Sequence, residues 1–459
     1  MKHQTQLLSL FGVVSALTLN ATNLSAADAK PAPASDAEVL LNLFQEKGMI
    51  SPQEAEKART ELAKRSAQSA GEFAKQSKVH FAKWIEGIDL YGDARLRFET
   101  RGGESGAVAG GDRLERNRWR YRLRAGAKME FTDNLRAGIQ LETGSSGRSS
   151  NVTFGDDAGP SGKSSDGIFL GLLYLNWTPT DWFDLTAGRQ AYPFKVTSLV
   201  WDGDLTPEGL SESFKTKAGK FDLFATFGQY VYDDSNPDNA FGGGASYGDA
   251  FLLVNQVGAK FNVSKDVSVQ VAPTLNVYSG QGDTYRGPLV GTTVANSVGI
   301  NDLLVVHVPA EVKFKVGSIP ARVFGDFAMN LQGDDRARAA GTPQFDDEVY
   351  AWQAGAELGS AKKKGGWSVK AFYQMSDLYS LDANMVDSDL FDSRLNMKGF
   401  VVQGVYALTD FANVTLTYAN ADRNNKSLPT GAVGDLGGPT GTAFLENYQL
   451  FQVDLNFKF

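Results

Sequence analysis

Hydrophobic and polar residues alternate strictly along a stretch that begins at Arg116 and ends at Glu142. From Trp119 to Phe131 every second residue is apolar or small, and the residues between them are Arg, Gly, Lys or Glu. Alternation over a stretch this long predicts a β-strand, because successive side chains point to opposite faces. A short turn follows, and the alternation resumes at Leu135. The pattern therefore predicts a long β-hairpin with one apolar face and one charged face.

Two interpretations compete for the apolar face of this hairpin. In a soluble β-protein it packs on a core, whereas in an outer-membrane barrel it meets lipid and the charged face lines a water-filled lumen. Trp119 and Tyr121 at one end and Phe131 at the other favour lipid, since Trp and Tyr sit at headgroup depth. Length agrees, because a spanning strand needs about 9–11 residues and a soluble strand about 5–6.

The same alternation recurs along the rest of the chain, from Ile88 to Phe459. Long polar loops are predicted near 143–167, 191–204, 232–248, 279–300, 331–346, 376–395 and 420–446, and short turns at 178–182, 216–220, 263–266, 317–320, 360–366 and 409–412. Long and short connections alternate in this way in an up-and-down barrel, whose short turns are periplasmic. We therefore expect an all-β transmembrane fold, an up-and-down antiparallel β-barrel of about 16 strands. The sixth strand is placed near 205–215, and Pro309 predicts a local bulge.

The chain divides into three predicted parts. Residues 1–28 have a charged start, a short apolar stretch and small residues near their end, which predicts a signal peptide. Residues 29–85 are rich in Ala, Glu, Lys and Gln and are expected to form a short α-helical periplasmic segment, in which Ser51 and Glu54 make a capping box. A thin apolar stripe favours a soluble helical hairpin over a coiled coil there. Residues 86–459 form the predicted barrel.

Composition excludes several kinds of chemistry. The chain has no Cys, which excludes disulfides, thiolate nucleophiles and Cys-ligated metals. It has three His, and only His307 lies in the predicted barrel, so no His-based metal site or catalytic triad is expected. A net charge of −8 argues against nucleic-acid binding. We expect no enzymatic activity, no cofactor, no metal and no nucleic-acid partner.

A row of arginines is the first candidate functional feature. The predicted pore-lining residues are Arg95, Arg97, Arg116, Arg118, Arg120, Arg122, Arg124 and Arg136. In lipid each would cost about 2–4 kcal/mol near the midplane, so the row must face water. Guanidinium stays charged at any working pH, and a fixed positive strip in a narrow channel concentrates anions. The row predicts a mild anion preference, limited by the acidic balance of the whole chain.

Several motifs resemble a family of Gram-negative outer-membrane porins, the putative porins. They are residues 40–55, Tyr91-Gly92-Asp93 followed by Arg95-Leu96-Arg97, residues 116–124, Gly188-Arg189-Gln190 and residues 201–209. The resemblance covers nearly the whole mature chain. It implies a pore in the outer membrane that passes small hydrophilic solutes and is often trimeric. It also implies contacts with outer-membrane lipid and lipopolysaccharide. Phe459 resembles the terminal signal read by the barrel assembly machinery.

A second candidate feature follows from this resemblance. Asp202, Asp204 and Glu208 come after the fifth predicted strand, where the third long loop of a sixteen-stranded porin often folds inward. If loop 191–209 does so, these carboxylates oppose the arginine row at a constriction. The other interpretation is an ordinary acidic loop. The competing function is an outer-membrane β-barrel adhesin or surface-structural protein without an open pore.

Overall fold

A computed structural model describes residues 51, 53–61, 84–105, 113–144, 149–155, 167–233, 249–279, 302–430, 436 and 445–459. The chain separates into two compact units, residues 1–82 and residues 83–459. The predicted signal peptide, residues 1–28, lies outside the described residues. Among the described residues, no helix has both the length and the apolar character needed to cross a bilayer.

The described part of the first unit is a helix over residues 53–61. Its first turn is closed by two reciprocal hydrogen bonds. The Ser51 amide donates to Glu54 Oε2 at 2.8 Å, and the Glu54 amide donates to Ser51 Oγ at 3.3 Å. Each bond satisfies a backbone N–H that the helix itself cannot pair. The predicted capping box is confirmed, whereas most of the predicted helical segment, residues 29–85, lies outside the described residues.

The described residues of the second unit form one β-sheet of nineteen strand segments. In chain order they are β1 (Ile85–Ser105), β2 (Arg113–Phe131), β3 (Leu135–Gly144), β4 (Val152–Thr153), β5 (Gly167–Thr180), β6 (Phe183–Arg189), β7 (Glu208–Ala218), β8 (Phe221–Asp233), β9 (Ala250–Asn262), β10 (Ser268–Val271), β11 (Thr274–Ser279), β12 (Leu304–His307), β13 (Ala310–Val316), β14 (Ile319–Asn330), β15 (Tyr350–Ser360), β16 (Trp367–Ser376), β17 (Met397–Ala407), β18 (Ala412–Arg423) and β19 (Leu445–Lys458). Short helical turns occupy Gly333–Ala339, Pro343–Phe345 and Phe391–Ser393.

The sheet closes into a barrel, because β1 pairs antiparallel with both β2 and β19. Sixteen strand positions surround the lumen. β10 and β11 share one position, β12 and β13 share another, and β4 is a two-residue segment that pairs with β2 beyond the end of β3. A closed antiparallel barrel of 16 strands is therefore confirmed. The strand predicted near 205–215 is β7, shifted a few residues along the chain.

Two prolines interrupt neighbouring strands at the same level. β10 ends at Val271, before Pro273, and β13 begins after Pro309. Proline has no amide proton to give to a sheet ladder, so the regular pairing stops at both residues. The Ala272 amide still donates to the Pro309 carbonyl at 3.0 Å, which keeps the two strands together across the break. The predicted bulge at Pro309 is not found, because the pairing register against β14 is the same on both sides of the break.

The burial pattern of β2 reverses that of a soluble β-protein. Trp119 and Leu123 are exposed on the outer face, while Arg118, Arg120 and Arg122 are buried on the inner face. An outer surface of apolar side chains around a polar interior is the arrangement of a transmembrane barrel. It selects the second interpretation of the alternating sequence.

Candidate functional site

Loop 190–207, which joins β6 to β7, crosses the inside of the barrel. The Lys195 amide donates to Gln256 Oε1 of β9 at 2.9 Å, and Gln256 Nε2 donates back to the Lys195 carbonyl at 2.8 Å. Further along, Thr197 Oγ1 donates to Asp326 Oδ2 of β14 at 2.9 Å. A loop that leaves the wall at β6 and binds the lumen faces of β9 and β14 must traverse the interior.

The far anchor of this loop includes the barrel histidine. His307 is fully buried, and its Nδ1 lies 3.2 Å from Asp326 Oδ1, the carboxylate that also holds Thr197. Beside it, Gln353 Nε2 of β15 donates to Ser198 Oγ at 3.2 Å. His307 therefore contacts the Asp326 carboxylate to which the crossing loop is hydrogen-bonded. Among the described residues, no group of three or more His, Asp or Glu is arranged to hold a metal ion.

A second loop, residues 377–396 between β16 and β17, also enters the barrel. Its Asp389 binds two arginines of β1: Arg97 Nη1 donates to Oδ2 at 2.5 Å, and Arg101 Nη2 donates to Oδ1 at 2.9 Å. The Tyr448 hydroxyl of β19 donates to the Asp389 carbonyl at 3.0 Å. One end of the second loop is thus fixed to the wall where the barrel closes.

The two loops meet inside the lumen. On the opposite side from β1, the Tyr232 hydroxyl of β8 donates to Asp382 Oδ2 at 2.8 Å, so the second loop also reaches across. The Asp202 amide donates to the Met385 carbonyl at 2.6 Å, and the Ser388 amide donates to Asp202 Oδ2 at 3.0 Å. Asp202 is therefore the residue at which the first loop docks on the second.

An apolar core lies between the loops and the wall. Buried loop residues Leu199, Val200, Leu381, Ala383, Val386 and Leu395 pack against Ala250, Leu303, Val305, Ala328 and Ala351 of the strands and their ends. The prediction of a plain polar loop at 376–395 is wrong, because its regularly recurring apolar residues are buried. A left-handed turn at Phe391–Ser393, with φ values of 52°, 61° and 59°, lies in a second apolar cluster, where Phe391 packs with Phe324, Phe372 and Tyr448. Such strained backbone persists only where the surroundings fix it.

The arginine row lies on the inner face but is covered. Arg118, Arg120 and Arg122 are only 7%, 6% and 9% exposed. The strand register places Glu99 of β1 opposite Arg118 and Asp93 opposite Arg124, while two further arginines of β1 lie opposite Arg120 and Arg122. The carboxylates reach these two arginines diagonally. The row therefore forms a ladder of ion pairs between two strands.

Glu99 is the centre of this ladder and is fully buried. It accepts a hydrogen bond from Arg118 Nε. Its carboxylate oxygens lie 3.2 Å from Arg101 Nε, 3.7 Å from Arg97 Nη1 and 3.8 Å from Arg120 Nη1. A carboxylate taken out of water in this way is tolerated because several guanidinium groups surround it.

Asp93 is a second carboxylate of the ladder and binds two further arginines of β2. Asp93 Oδ1 accepts from Arg122 Nη2 and Asp93 Oδ2 from Arg124 Nε, both at 2.8 Å. From the crossing loop, Asp204 Oδ1 lies 3.3 Å from Arg122 Nη1. The predicted loop carboxylate and the predicted row thus come together at Asp204.

β19 and Asn151, the residue before β4, complete the ladder. Arg97 Nε donates to Asp454 Oδ1 at 2.7 Å, and Arg95 Nη2 donates to Asn151 Oδ1 at 2.5 Å. We call this set the arginine wall, which comprises Arg95, Arg97, Arg101, Arg118, Arg120, Arg122 and Arg124 with the carboxylates Asp93, Glu99, Asp389 and Asp454. Sequence reasoning did not single out these carboxylates as site residues. Asp93, Glu99 and Asp454 lie on the polar, inner faces of their strands, and Asp389 lies in the second loop.

Three other predicted residues lie elsewhere. Arg116 is half-buried near the start of β2, and Arg136 is exposed on β3, 3.8 Å from Glu130. Glu208 is the first residue of β7 and not a loop residue, so its placement in the constriction loop is corrected. The sheet ladder begins at this point, and the exposed Glu208 carboxylate binds Arg189 at 2.7 Å.

The junction of the two loops has unusual proton affinities. Burial raises the pKa of Asp387 to about 7, and the charges of Asp202 and Asp389 add to the shift. Burial also raises the pKa of Asp202. Burial would raise the pKa of Asp389 as well, but Arg97 and Arg101 outweigh it and hold the pKa of Asp389 well below its usual range. One carboxylate of the junction thus stays ionised while its neighbour titrates near neutrality.

Three solved structures resemble this chain in shape. An anion-selective porin from Comamonas acidovorans is 11% identical, with a TM-score of 0.45, and the match covers 81% of this chain and 99% of that one. A high-pH structure of Pseudomonas putida OprB is 10% identical, with a TM-score of 0.47, covering 81% and 94%. A loop-deletion mutant of OmpT, an outer membrane protein of Vibrio cholerae, is 12% identical, with a TM-score of 0.39, covering 81% and 99%.

No curated protein sequence matches this chain significantly. Residues 112–282 match the family model described as putative porin. The matched stretch runs from the start of β2 to just beyond β11 and includes the crossing loop. Over these residues the chain is similar in sequence to the putative porin family.

Proposed function

We propose that this protein is an outer-membrane porin, a passive water-filled channel for small hydrophilic solutes and ions. The closed barrel with a polar interior and an apolar exterior carries the proposal, and the family match supports it. Passive diffusion needs no catalytic residue, and the proposal includes none. Residues 1–28 are the proposed signal peptide, and residues 29–85 the proposed periplasmic segment.

A specific observation favours a second function. The apolar core between the two inward loops fills part of the lumen, as a barrel without an open pore requires. The alternative is therefore an adhesin or surface-structural protein on the same barrel. The cavities that remain beside the loops, described below, favour the channel.

The ion preference predicted from the arginine row remains a prediction. Burial and ion pairing of the arginine wall weaken its basis, because a guanidinium with a carboxylate beside it contributes little net field to the passage. Replacing Arg120, Arg122 and Arg124 with Ala tests it. A shift of the reversal potential towards cations supports an anion-attracting row, and an unchanged value assigns the row a structural role.

The proposed partners are outer-membrane lipid, lipopolysaccharide and two further copies of the chain in a homotrimer. The proposed signal for the barrel assembly machinery is Phe459. Its side chain is 68% exposed, and its backbone pairs in both directions with Gly92 of β1. An exposed terminal aromatic beside the closing strand is available for recognition.

Single-channel recording of the refolded full chain in planar bilayers tests the proposed function. Folding is first verified by heat-modifiable migration on a gel. Discrete ohmic steps support the channel. A folded barrel that gives no conductance supports the adhesin or surface-structural function.

A further inference from the structure

The crossing loop divides the lumen into two spaces. Residues 196–198 of that loop line a cavity on each side. On the side of β1, β2, β3 and β5 lie adjoining cavities of about 640 Å³ and 630 Å³, which share Leu172 and Gln140 in their walls. On the side of β13 to β16 lie cavities of about 360 Å³ and 600 Å³, which share Arg322. On each side, the space beside the loop therefore continues into an adjoining cavity towards the short turns.

The charged residues around the 640 Å³ cavity are mostly acidic. They are Asp93, Glu142, Asp204, Asp387 and Arg124. Asp93 and Asp204 bind the arginine wall, and Arg124 binds Asp93. Glu142 and Asp387 form no ion pair with any described residue; Glu142 contacts Gln140 Nε2 at 3.5 Å, and Asp387 accepts from two backbone amides. Among the residues that line this cavity, the charge left without an ion pair is negative.

The charged residues around the 360 Å³ cavity have the opposite balance. They are Lys195, Glu311, Arg322 and Lys370. Arg322 binds Glu357 at 2.7 Å and approaches Glu311 at 3.5 Å. Lys195 and Lys370 form no ion pair with any described residue, and the Lys370 ammonium stands 5.7 Å from the centre of the Phe372 ring. The uncompensated charge here is positive.

The basic character continues in the adjoining cavity towards the short turns. Its charged lining is Lys260, Lys265, Asp266, Lys313, Lys315, Arg322, Glu357 and Lys362. On the other side of the loop, the charged lining of the 630 Å³ cavity has equal numbers of acidic and basic residues, which are Asp89, Glu130, Lys128 and Arg136. The sign of each space is therefore set beside the crossing loop and is not reversed further along.

We propose that the lumen contains two parallel lanes of opposite ion preference. The acidic lane, marked by Glu142 and Asp387, favours small cations, and the basic lane, marked by Lys195 and Lys370, favours small anions. Fixed charges in a confined space with low-dielectric walls raise the local concentration of their counter-ions, and rings of acidic or basic side chains select cations or anions in this way. The inference rests on the proposed channel function and assigns its specificity-determining residues.

Two parallel lanes explain how a strongly charged interior yields weak net selectivity. Each lane excludes the ion that the other admits, so opposite preferences cancel in the total current. In this arrangement the arginine wall lies on the barrel-wall side of the acidic lane and binds the second loop. The anion-attracting charge lies on the other side of the crossing loop.

Charge neutralisation gives the first test, by reversal potential across a potassium chloride gradient. Glu142→Gln should shift the preference towards anions, and Lys370→Gln should shift it towards cations. Lys128→Gln, in the evenly balanced cavity, is the matched control and should give the smallest shift of the three. Shifts of the same sign from the first two variants would overturn the assignment.

Selective blocking gives the second test, because the native chain has no Cys. Leu172→Cys places one thiol in the acidic lane, and Gln270→Cys places one in the basic lane. Each variant is recorded before and after reaction with a neutral maleimide carrying a polyethylene glycol chain. Each block should remove only part of the conductance. Blocking the acidic lane should shift the remaining current towards anions, and blocking the basic lane should shift it towards cations.

The outcomes distinguish failure of the two lanes from failure of the channel function. If either block removes the current completely, or if both blocks shift the reversal potential in the same direction, the lumen contains one shared passage. That result overturns the two lanes but leaves the channel function intact. Absence of conductance in the folded wild type overturns the channel itself, and the lanes with it. The unreacted Cys variants show that each substitution leaves a working barrel.

Discussion

The arginine wall and the basic lane carry the same sign of fixed charge in different ways. Arg118 and Arg120 are 7% and 6% exposed, and both lie against Glu99. Lys195 of the basic lane is exposed, and neither it nor Lys370 forms an ion pair with any described residue. The first region is a rigid ion-pair network covered by a loop. The second is a set of flexible ammonium groups that reach water.

The comparison shows that the number of charges in a sequence stretch does not set the field that a solute meets. The field depends on which side chains are paired and which face the open space. Pairing is decided by strand register and by loops that arrive from distant parts of the chain. The densest cationic stretch is therefore mainly structural, and the sparser lysines remain available to ions.

The largest expected effect comes from Glu99→Gln. This substitution removes the charge shared by four buried guanidinium groups, and breaking a buried ionic network costs about 3–5 kcal/mol. Urea unfolding of the refolded barrel in lipid vesicles measures the loss. The control is Glu130→Gln, whose exposed carboxylate lies 3.8 Å from Arg136, and it should change stability by less than about 0.5 kcal/mol. Equal losses from the two variants would contradict the buried network.

The next effect concerns the loop that covers the arginine wall. Asp389→Asn removes the charge that binds Arg97 and Arg101, and hydrogen bonds between charged groups contribute about 1.5–3 kcal/mol. The loop should detach from β1, and single-channel conductance should rise. Asp347→Asn, in an exposed part of another loop, is the control and should leave conductance unchanged. A conductance that stays constant in both variants would show that other contacts suffice to hold the loop.

A smaller effect is expected from pH. The folded-state pKa of Asp387 is about 7, above the usual carboxyl range, so its contribution to stability is fully present in acid and is lost as pH rises through about 7. Deprotonation also adds negative charge to the acidic lane, next to Asp202 and Asp389. Cation preference should therefore increase between about pH 6 and pH 8. Reversal potentials should show the step in the wild type and a reduced step in Asp387→Asn. A full step in the variant would assign the titration to another group.

The sequence was sufficient for the wall of the barrel because alternation is a local property. The exposed Trp119 and the buried Arg118 follow from neighbouring positions on one strand, and the capping box of Ser51 and Glu54 spans a single helical turn. The number of strand positions followed from the rhythm of turns and loops. None of these inferences required knowledge of distant contacts.

The interior could not be inferred in the same way. Arg97 binds Asp454, which lies 357 residues away in the chain, and the bond forms only because the barrel closes between β1 and β19. The second loop was missed because its apolar residues resemble ordinary loop residues until the crossing loop packs on them. The recurrence of Leu378, Leu381 and Leu395 was the available signal.

The smallest expected effect tests the boundary of the constriction. Glu208 and Arg189 form an exposed pair, and such pairs contribute about 0–1 kcal/mol, so Glu208→Gln should barely alter urea unfolding. The reversal potential should also stay constant, because Glu208 belongs to β7 and lines none of the cavities beside the crossing loop that are described above. Asp204→Asn is the matched comparison. It removes a carboxylate from the acidic lane and should shift the preference towards anions. If Glu208→Gln shifted it equally, the constriction would extend into the start of β7, as the sequence first indicated.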